Sequence, residues 1–315
     1  MSLERALELA ERGRGSTHPN PIVGAVVVQD GKVVGEGWHE RKGGPHAEIA
    51  ALEAAGERAR GATLYVTLEP CRSVGATPPC TAAVLESGVG KVIAAALDPD
   101  PRAGGGLEEL RAAGIEVELA NGEVSLRARR QNEAWRTWVS KGRPFVTYKA
   151  AVTLDGRVTV PGSRWVSGEE SRKRVHQLRA ASDAVAVGMG TVRMDDPGLE
   201  ARDVDAARQP RRLAFGNGPL AEGSRLELVS GPLEEVLGRL GEQEVQSLLL
   251  EGGPTLATAF ARAGLIDKLL LFVAPRLSGS GPHFLGDLEQ PVELREVSVE
   301  RIGEDFLVTA YLHEL

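Results

Sequence analysis

The sequence predicts a protein of the α/β class with two domains. Its 315 residues exceed the length of one average domain. Helix and strand signals alternate through both halves, and this alternation is typical of sheets that helices cover on both faces. Gly142 and Pro144 interrupt the pattern after a long helical segment, so we place the boundary between domains 1–143 and 144–315 there.

The first domain begins with a helix, because apolar residues recur at helical spacing between Leu3 and Ala10. Residues 22–39 alternate on either side of Asp30-Gly31, a dipeptide that favours a hairpin turn. Gly56 and Gly88 are typical of helix ends. The remaining predicted elements are helices over 46–56, 79–88, 106–114 and 123–141, and strands over 62–68, 91–97 and 115–119.

The second domain repeats this alternation with longer apolar strands. The predicted elements are strands over 145–154, 184–188, 211–215, 247–251 and 268–275, helices over 167–181 and 255–264, and a closing hairpin through 302–312. No internal repeat or heptad pattern accompanies them.

Composition limits the classes of function. The formal net charge of −7 argues against a nucleic-acid surface, whereas a small phosphorylated ligand needs only a few local cations. The sequence has no run of eighteen apolar residues, and its N-terminal segment is amphipathic and charged without an apolar signal core. We therefore expect a cytoplasmic protein that contacts no membrane.

The only two cysteines of the chain, Cys71 and Cys80, lie in one proline-bracketed loop. They could form a disulfide, pack as two inert thiols, or bind a metal. Structural disulfides are uncommon inside cells, which disfavours the first alternative.

The presence of His46 and Glu48 favours the third alternative, in which the cysteines bind a metal. One imidazole and two thiolates are the ligands of a catalytic zinc site with an open position. Glu48 lies two residues from His46 in the first turn of a predicted helix, where its carboxylate can move protons without binding the metal. The pattern H-A-E, E-P-C and P-P-C approximates the zinc-deaminase signature, although eight residues rather than two separate the cysteines.

With these motifs in place, residues 2–140 resemble the deaminase half of the bifunctional riboflavin-biosynthesis deaminase/reductase family. The resemblance rests on the stretch from Arg12 to Glu48, "VTLEPC" and "TPPC". It implies a cytidine-deaminase-like three-layer α/β/α domain. It further implies that His46, Cys71 and Cys80 bind Zn²⁺, that Glu48 is the catalytic proton shuttle, and that Asn20 and His39 bind substrate. The implied substrate is a phosphorylated ribosylaminopyrimidine.

The loop between the cysteines departs from that family. The family has a histidine and a basic residue where this chain has Ser73 and Ala76. A lost cation weakens phosphate binding, because charge-assisted hydrogen bonds contribute about 1.5–3 kcal/mol. Arg72 is a candidate replacement.

Two strand–glycine–helix junctions mark the second half, at Gly188–Gly190 and at Gly252-Gly253. Each can present backbone N–H groups at a helix N-terminus, as phosphate-binding loops do. No G-x-G-x-x-G fingerprint is present.

Together with "KAAVTLDGRV", "GSRW" and "VHQLRAASDAV", these junctions resemble the reductase half of the same family, over about residues 145–280. The resemblance implies a dihydrofolate-reductase-like α/β domain that uses NADPH. The implied cofactor positions are Ala151, Trp165, Thr191, Asp195, Gly253, Pro254, Thr255, Leu256, Ala257, Thr258 and Ala259. The implied substrate positions are Ser163, Arg179, Leu199, Arg202 and Glu251, and Asp195 is a candidate for catalytic proton transfer. Gly216-Asn217 stands where the family has an Asp-Ser pair.

The resulting expectation is a homo-oligomeric enzyme, dimeric or tetrameric, that deaminates the pyrimidine and then reduces the ribosyl chain. Three alternatives stay open: a reductase with a degenerate deaminase half, a nucleic-acid deaminase, and a zinc-stabilised binding protein. The acidic charge disfavours the second, and the small number of spare metal ligands disfavours the third.

Overall fold

A computed structural model describes residues 2–73, 78–206 and 208–314. The described chain divides into two compact units, residues 2–141 and residues 142–314. In the described residues, no helix is both long and apolar enough to cross a membrane.

The first unit is built on a five-stranded sheet in the order β2-β1-β3-β4-β5. Its strands are β1 (Gly24–Gln29), β2 (Lys32–Trp38), β3 (Thr63–Val66), β4 (Lys91–Ala94) and β5 (Glu116–Leu119). Its α-helices are α1 (Ser2–Glu11), α2 (Ala47–Ala55), α3 (Cys80–Ser87), α4 (Gly106–Ala112), α5 (Gly122–Gln131) and α6 (Glu133–Lys141). β1 pairs antiparallel with β2 and β3, and β3, β4 and β5 run parallel.

Helices cover both faces of this sheet, which confirms the three-layer prediction. Alternate side chains such as Leu64 and Val92 pack against α2, α3, α4 and α6 on one face. Tyr65 and Ile93 point to the other face, where α1 and α5 lie.

Glycines bring two of these helices unusually close to the sheet. A Cβ atom on Gly37 would lie 2.6 Å from the carbonyl oxygen of Ala47, and one on Gly35 would lie 2.2 Å from that of Ala51. Gly24 has the same relation to α1, at 2.0 Å from the carbonyl oxygen of Ala6. These distances are far below van der Waals contact, so only glycine fits there.

The helix expected over 123–141 is two helices in the structure, with Asn132 between them. The buried Asn132 side chain accepts a hydrogen bond from the Ile22 N–H at 2.9 Å and donates one to the Ile22 carbonyl at 2.8 Å. The break therefore places an amide where it can pair both backbone groups of Ile22.

The second unit is built on an eight-stranded sheet in the order β12-β13-β11-β6-β10-β7-β8-β9. Its strands are β6 (Phe145–Thr153), β7 (Ala184–Gly188), β8 (Arg211–Phe215), β9 (Glu227–Val229), β10 (Ser247–Leu250), β11 (Lys268–Ala274), β12 (Arg295–Ile302) and β13 (Asp305–Tyr311). Its helices are α7 (Glu169–Ala181), α8 (Met189–Asp195), α9 (Leu233–Glu242) and α10 (Pro254–Arg262). The run from β11 to β9 is parallel, and only β13 and β12 are antiparallel additions.

Helices α9 and α10 cover one face of this sheet, while α7 and α8 lie on the other. The α/β prediction is therefore confirmed for both halves. β9 and α9 were not predicted from the sequence; they lie in the segment between the predicted strands 211–215 and 247–251.

Candidate functional site

His46, Cys71 and Cys80 converge at one point of the first unit. The imidazole Nδ1 of His46 lies 3.1 Å from the Cys80 sulfur and 3.6 Å from the Cys71 sulfur. One ligand atom from each residue lies within 4.8 Å of the others, and both thiols are free. This arrangement excludes the disulfide in the described structure and fits the three protein ligands of a zinc site.

Local structure explains the convergence. His46 is the residue before the first turn of α2, and Cys80 opens α3. Cys71 follows β3, and its carbonyl accepts the Thr81 N–H at 3.2 Å, which ties the loop back to α3.

Without a cation the two thiols shift in opposite directions. The hydrogen bond between them lowers the pKa of Cys71 and, together with burial, raises the pKa of Cys80. The hydrogen bond with Cys71 raises the pKa of His46. A bound metal cation deprotonates coordinating thiols, so both sulfurs are suited to be thiolate ligands.

Glu48 lies beside the cluster, in the first turn of α2, and only 3% of its surface is exposed. Burial raises the pKa of Glu48 to about 7. A carboxyl group that titrates near neutral pH can both accept and donate a proton during turnover.

Asn20 and His39 form a hydrogen-bonded chain next to the cluster. The His39 Nδ1–H donates to the Pro45 carbonyl at 2.9 Å, which leaves Nε2 to accept from the Asn20 amide at 3.2 Å. The His39 ring packs edge-on against His46, with 5.3 Å between centroids. Burial lowers the pKa of His39 and so favours the neutral form of the ring.

These residues line a cavity of about 310 Å³. Asn20, His39, His46, Glu48 and Cys71 all contribute to its wall, so the structure brings the predicted deaminase residues to one place.

Sequence reasoning missed other residues of the wall. They are Trp135 and Trp138 of α6, Glu69 after β3, and the segment after β4 that contains Asp98, Asp100 and Arg102. Burial raises the pKa of Asp98 to about 6. The D-P-D-P motif was the available signal, because it follows a strand beside the one that leads to Cys71.

Glycines collect at the carboxyl edge of the second sheet. Gly188 ends β7, Gly216 follows β8, and Gly252 and Gly253 follow β10. A Cβ atom on Gly253 would lie 3.3 Å from Thr191 Oγ1, and one on Gly188 would lie 3.4 Å from the Leu256 Cβ. Parallel α/β sheets bind ligands at this edge, and the missing side chains leave backbone N–H groups of α10 open to a phosphate.

The predicted cofactor positions around α10 differ in how accessible they are to a ligand. Gly253, Pro254 and Thr255 lie at the start of α10, near Thr191. Ala257 is fully buried, and the Thr258 hydroxyl is used by the Pro254 carbonyl and the Gly286 N–H. Ala259, further along α10, is exposed.

Ala151 and Trp165 are placed differently from each other. Ala151 packs with Val175 beneath α7, whereas Trp165 is 52% exposed and stacks with the guanidinium of Arg172, 5.3 Å from its centroid. Ser163 donates a hydrogen bond to the Trp165 carbonyl at 2.8 Å.

Glu251 forms a buried ion-pair cluster at the end of β10. Arg179 of α7 donates to its carboxylate at 2.6 and 3.1 Å, and the Lys149 ammonium lies 3.5 Å away. Burial opposes ionisation of Glu251, but Lys149 and Arg179 outweigh it and lower its pKa. Sequence reasoning missed Lys149, which lies in the K-A-A-V-T-L-D-G motif on β6.

The same Arg179 holds the segment that carries Leu199 and Arg202. Its guanidinium donates to the Glu200 carbonyl at 3.2 Å, and the Arg202 N–H donates to His176 at 3.2 Å. Leu199 is buried with a positive φ of 54°. Asp195 is exposed at the end of α8, and no hydrogen bond or ion pair joins it to the Glu251 cluster within the described ranges.

Comparisons with known proteins agree with this division. Residues 2–96 match the family described as the cytidine and deoxycytidylate deaminase zinc-binding region, and residues 144–308 match the RibD C-terminal domain. The chain is 42% identical to the riboflavin biosynthesis protein RibD of Aquifex aeolicus, over 97% of this chain and 96% of that protein. It is 39% identical to the Escherichia coli protein of the same name, over 88% of each.

Solved structures give the same result. Acinetobacter baumannii RibD superposes with a TM-score of 0.87 at 36% identity, covering 99% of this chain and 98% of that chain. A Thermotoga maritima protein described as a diaminohydroxyphosphoribosylaminopyrimidine deaminase/5-amino-6-(5-phosphoribosylamino)uracil reductase superposes with a TM-score of 0.84, again at 36% identity and with the same coverage.

Proposed function

Because the chain belongs to the RibD family, a bifunctional deaminase and reductase of riboflavin biosynthesis, we propose that the two units divide its reactions between them. Residues 1–143 deaminate the ring of a 2,5-diamino-6-ribosylaminopyrimidinone 5′-phosphate. Residues 144–315 then reduce its ribosyl chain to ribityl with NADPH. The observation that carries the first assignment is the His46, Cys71 and Cys80 cluster at the wall of a cavity that also contains Glu48.

In the deaminase unit His46, Cys71 and Cys80 hold zinc, and the metal supplies a Lewis acid at the cavity wall. Glu48 accepts a proton from the attacking water and delivers it to the departing amine. The Asn20 amide and His39 hold the pyrimidine ring and the ribose, because their hydrogen-bonded chain faces the cavity.

In the reductase unit the glycine-lined edge at Gly188 and Gly253 holds the phosphates of NADPH, which supplies the hydride. Thr191, Trp165 and Ala151 contact the remainder of the cofactor. Arg179, Arg202, Leu199, Ser163 and Glu251 bind the phosphorylated substrate. Asp195, which is exposed at the end of α8, transfers the accompanying proton.

The test is NADPH oxidation by the zinc-loaded protein with the diaminopyrimidinone ribosylamine phosphate as the sole substrate. Oxidation requires deamination followed by reduction, so we expect absorbance at 340 nm to fall. If NADPH is not oxidised with this substrate but is oxidised with the deaminated intermediate, the protein is a reductase with a degenerate deaminase half. That result would contradict the first assignment.

A homo-oligomer, dimeric or tetrameric, is supported by the edge of the second sheet. Val297 and Val299 of β12 and Phe306 of β13 are 55%, 62% and 41% exposed, and in the described chain no further strand pairs with β12. Unpaired edges with apolar side chains invite association. We expect Val299→Lys to lower the mass measured by sedimentation, while Leu119→Lys on β5 of the other sheet leaves it unchanged.

We place the enzyme in the cytoplasm. The support is the bacterial origin of the biosynthetic relatives and the free state of both cysteines.

A further inference from the structure

The deaminase cavity has an unusual balance of charge for a phosphorylated substrate. Its wall includes the carboxyl groups of Glu48, Glu69, Asp98 and Asp100. Among the described lining residues, Arg102 is the only arginine or lysine. Among the described lining side chains, Arg102 is therefore the one that can pair with a phosphate dianion in this cavity.

Asp100 holds Arg102 in position without using all of its donors. The carboxylate accepts Nε–H at 3.0 Å, Nη2–H at 2.8 Å and the backbone N–H of Arg102 at 2.9 Å. The Arg102 side chain is 81% exposed, and Nη1 makes no hydrogen bond within residues 2–73, 78–206 and 208–314. A guanidinium fixed on one side and open on the other loses little conformational freedom when it binds phosphate.

Arg72 lies between two residues of the cavity wall, Cys71 and Ser73. Its backbone N–H donates to the carbonyl of Ala103 at 3.1 Å, so the cysteine loop and the Arg102 segment are joined there. A Cβ atom on Gly105 would lie 3.4 Å from Cζ and Nε of Arg72, which places the guanidinium flat against this glycine. Ser73 and Ala103, the neighbours of the two arginines, line the cavity themselves.

We propose that Arg102, assisted by Arg72, binds the 5′-phosphate of the deaminase substrate; these two residues form an arginine rim. This inference rests on the proposed deaminase function and names the residue that selects phosphorylated over unphosphorylated substrate. The arginine rim takes the place of the basic residue that the family has at position 76. Ala76 itself lies outside the described residues.

The steady-state kinetics of deamination by full-length, zinc-loaded protein test whether these arginines bind the phosphate. Each charge-assisted hydrogen bond contributes about 1.5–3 kcal/mol, so Arg102→Gln should raise KM about 10- to 100-fold. We expect kcat to change less than about twofold, because the rim does not reach the reacting atoms. Arg72→Gln should have a smaller effect, the double variant a larger one, and Arg102→Lys should retain part of the affinity.

Two controls separate recognition from folding. Arg111→Gln changes an exposed arginine of α4 outside the cavity wall and should leave KM unchanged. Ribose 5-phosphate should inhibit deamination competitively, and its inhibition constant should rise in Arg102→Gln by the same factor as KM.

If wild-type protein is active and Arg102→Gln has an unchanged KM, the proposal that Arg102 binds the phosphate is wrong. A fall in kcat at constant KM would overturn it too, because that result assigns Arg102 a structural role. Wild-type protein that cannot deaminate but reduces the deaminated intermediate would instead reject the deaminase assignment, and the rim with it.

Discussion

At the scale of single residues, the proposed deamination depends on a carboxyl group that is buried beside the His46, Cys71 and Cys80 cluster. Glu48 is close enough to Cys80 for a hydrogen bond, yet it follows His46 by two positions and does not belong to the ligand cluster. Ligation and proton transfer can therefore be separated by substitution.

Glu48→Gln should retain zinc and lose deamination by about 10²–10⁴-fold, because an amide cannot carry the proton. Zinc content by atomic absorption and deamination rate measured on the same sample check this. Glu53→Gln, on the exposed part of the same helix, should behave as wild type. Turnover by the Glu48 variant at the normal rate would remove this residue from the mechanism.

Glu251 gives a prediction about pH and stability. Its folded pKa is lowered, so its ionised form stabilises the protein above the unfolded value near 4.5, and this contribution disappears as pH falls through the folded value. Glu251→Gln should therefore lower the free energy of unfolding at pH 7, and the difference from wild type should shrink below about pH 4. Urea unfolding at both pH values measures it; a difference that grows in acid would contradict the ion-pair account.

At the scale of elements, Asn132 shows why a helix boundary escaped the sequence. Residues 123–141 have helical character throughout, and no glycine or proline marks the break. The break exists because a side chain pairs with Ile22, 110 positions away, and periodicity carries no information about such a contact. The adjoining Thr17–Asn20 turn carries Asn20, which we propose binds substrate.

Asn132→Ala leaves a buried N–H and a buried carbonyl of Ile22 unpaired, and each costs about 1–3 kcal/mol. We expect a fall in unfolding free energy together with a higher deamination KM, since Asn20 loses its support. Asn121→Ala is the matched control, because the side chain of this exposed residue makes no capping hydrogen bond. Equal effects from both variants would show that replacement of an asparagine near a helix end, not the Ile22 contact, is responsible.

Most elements were predictable where local pattern and tertiary role agree. The Asp30-Gly31 hairpin and the apolar strands of the second unit are examples. β9 and α9 were not predicted, since β9 spans only three residues and two of them are exposed. The cluster of His46, Cys71 and Cys80 was predictable from spacing. Asp98, Arg102 and Trp135, in contrast, reach the cavity only through the fold.

At the scale of the whole molecule, each unit contains the residues that we propose for one reaction. The metal ligands and Glu48 belong to residues 1–141, and the Glu251 cluster belongs to residues 142–314. Inhibition of one reaction should therefore leave the other intact.

Removal of zinc from the full-length protein with a chelator should abolish deamination and spare reduction of the deaminated intermediate. Readdition of zinc should restore the first activity. Parallel loss of both activities, with an unchanged circular dichroism spectrum, would show that the metal supports the reductase unit as well.

Two glycines of β2, Gly35 and Gly37, should tolerate almost no substitution. Gly35 and Gly37 let the backbone of α2 pack directly against the strand, so the distance between this helix and the sheet cannot vary. His46 immediately precedes the helix, and its position depends on that distance. A single methyl group at either position would push the helix outward and carry His46 away from the two sulfurs. In a natural population these two positions should be as intolerant of missense alleles as the metal ligands themselves, although neither bears a functional group.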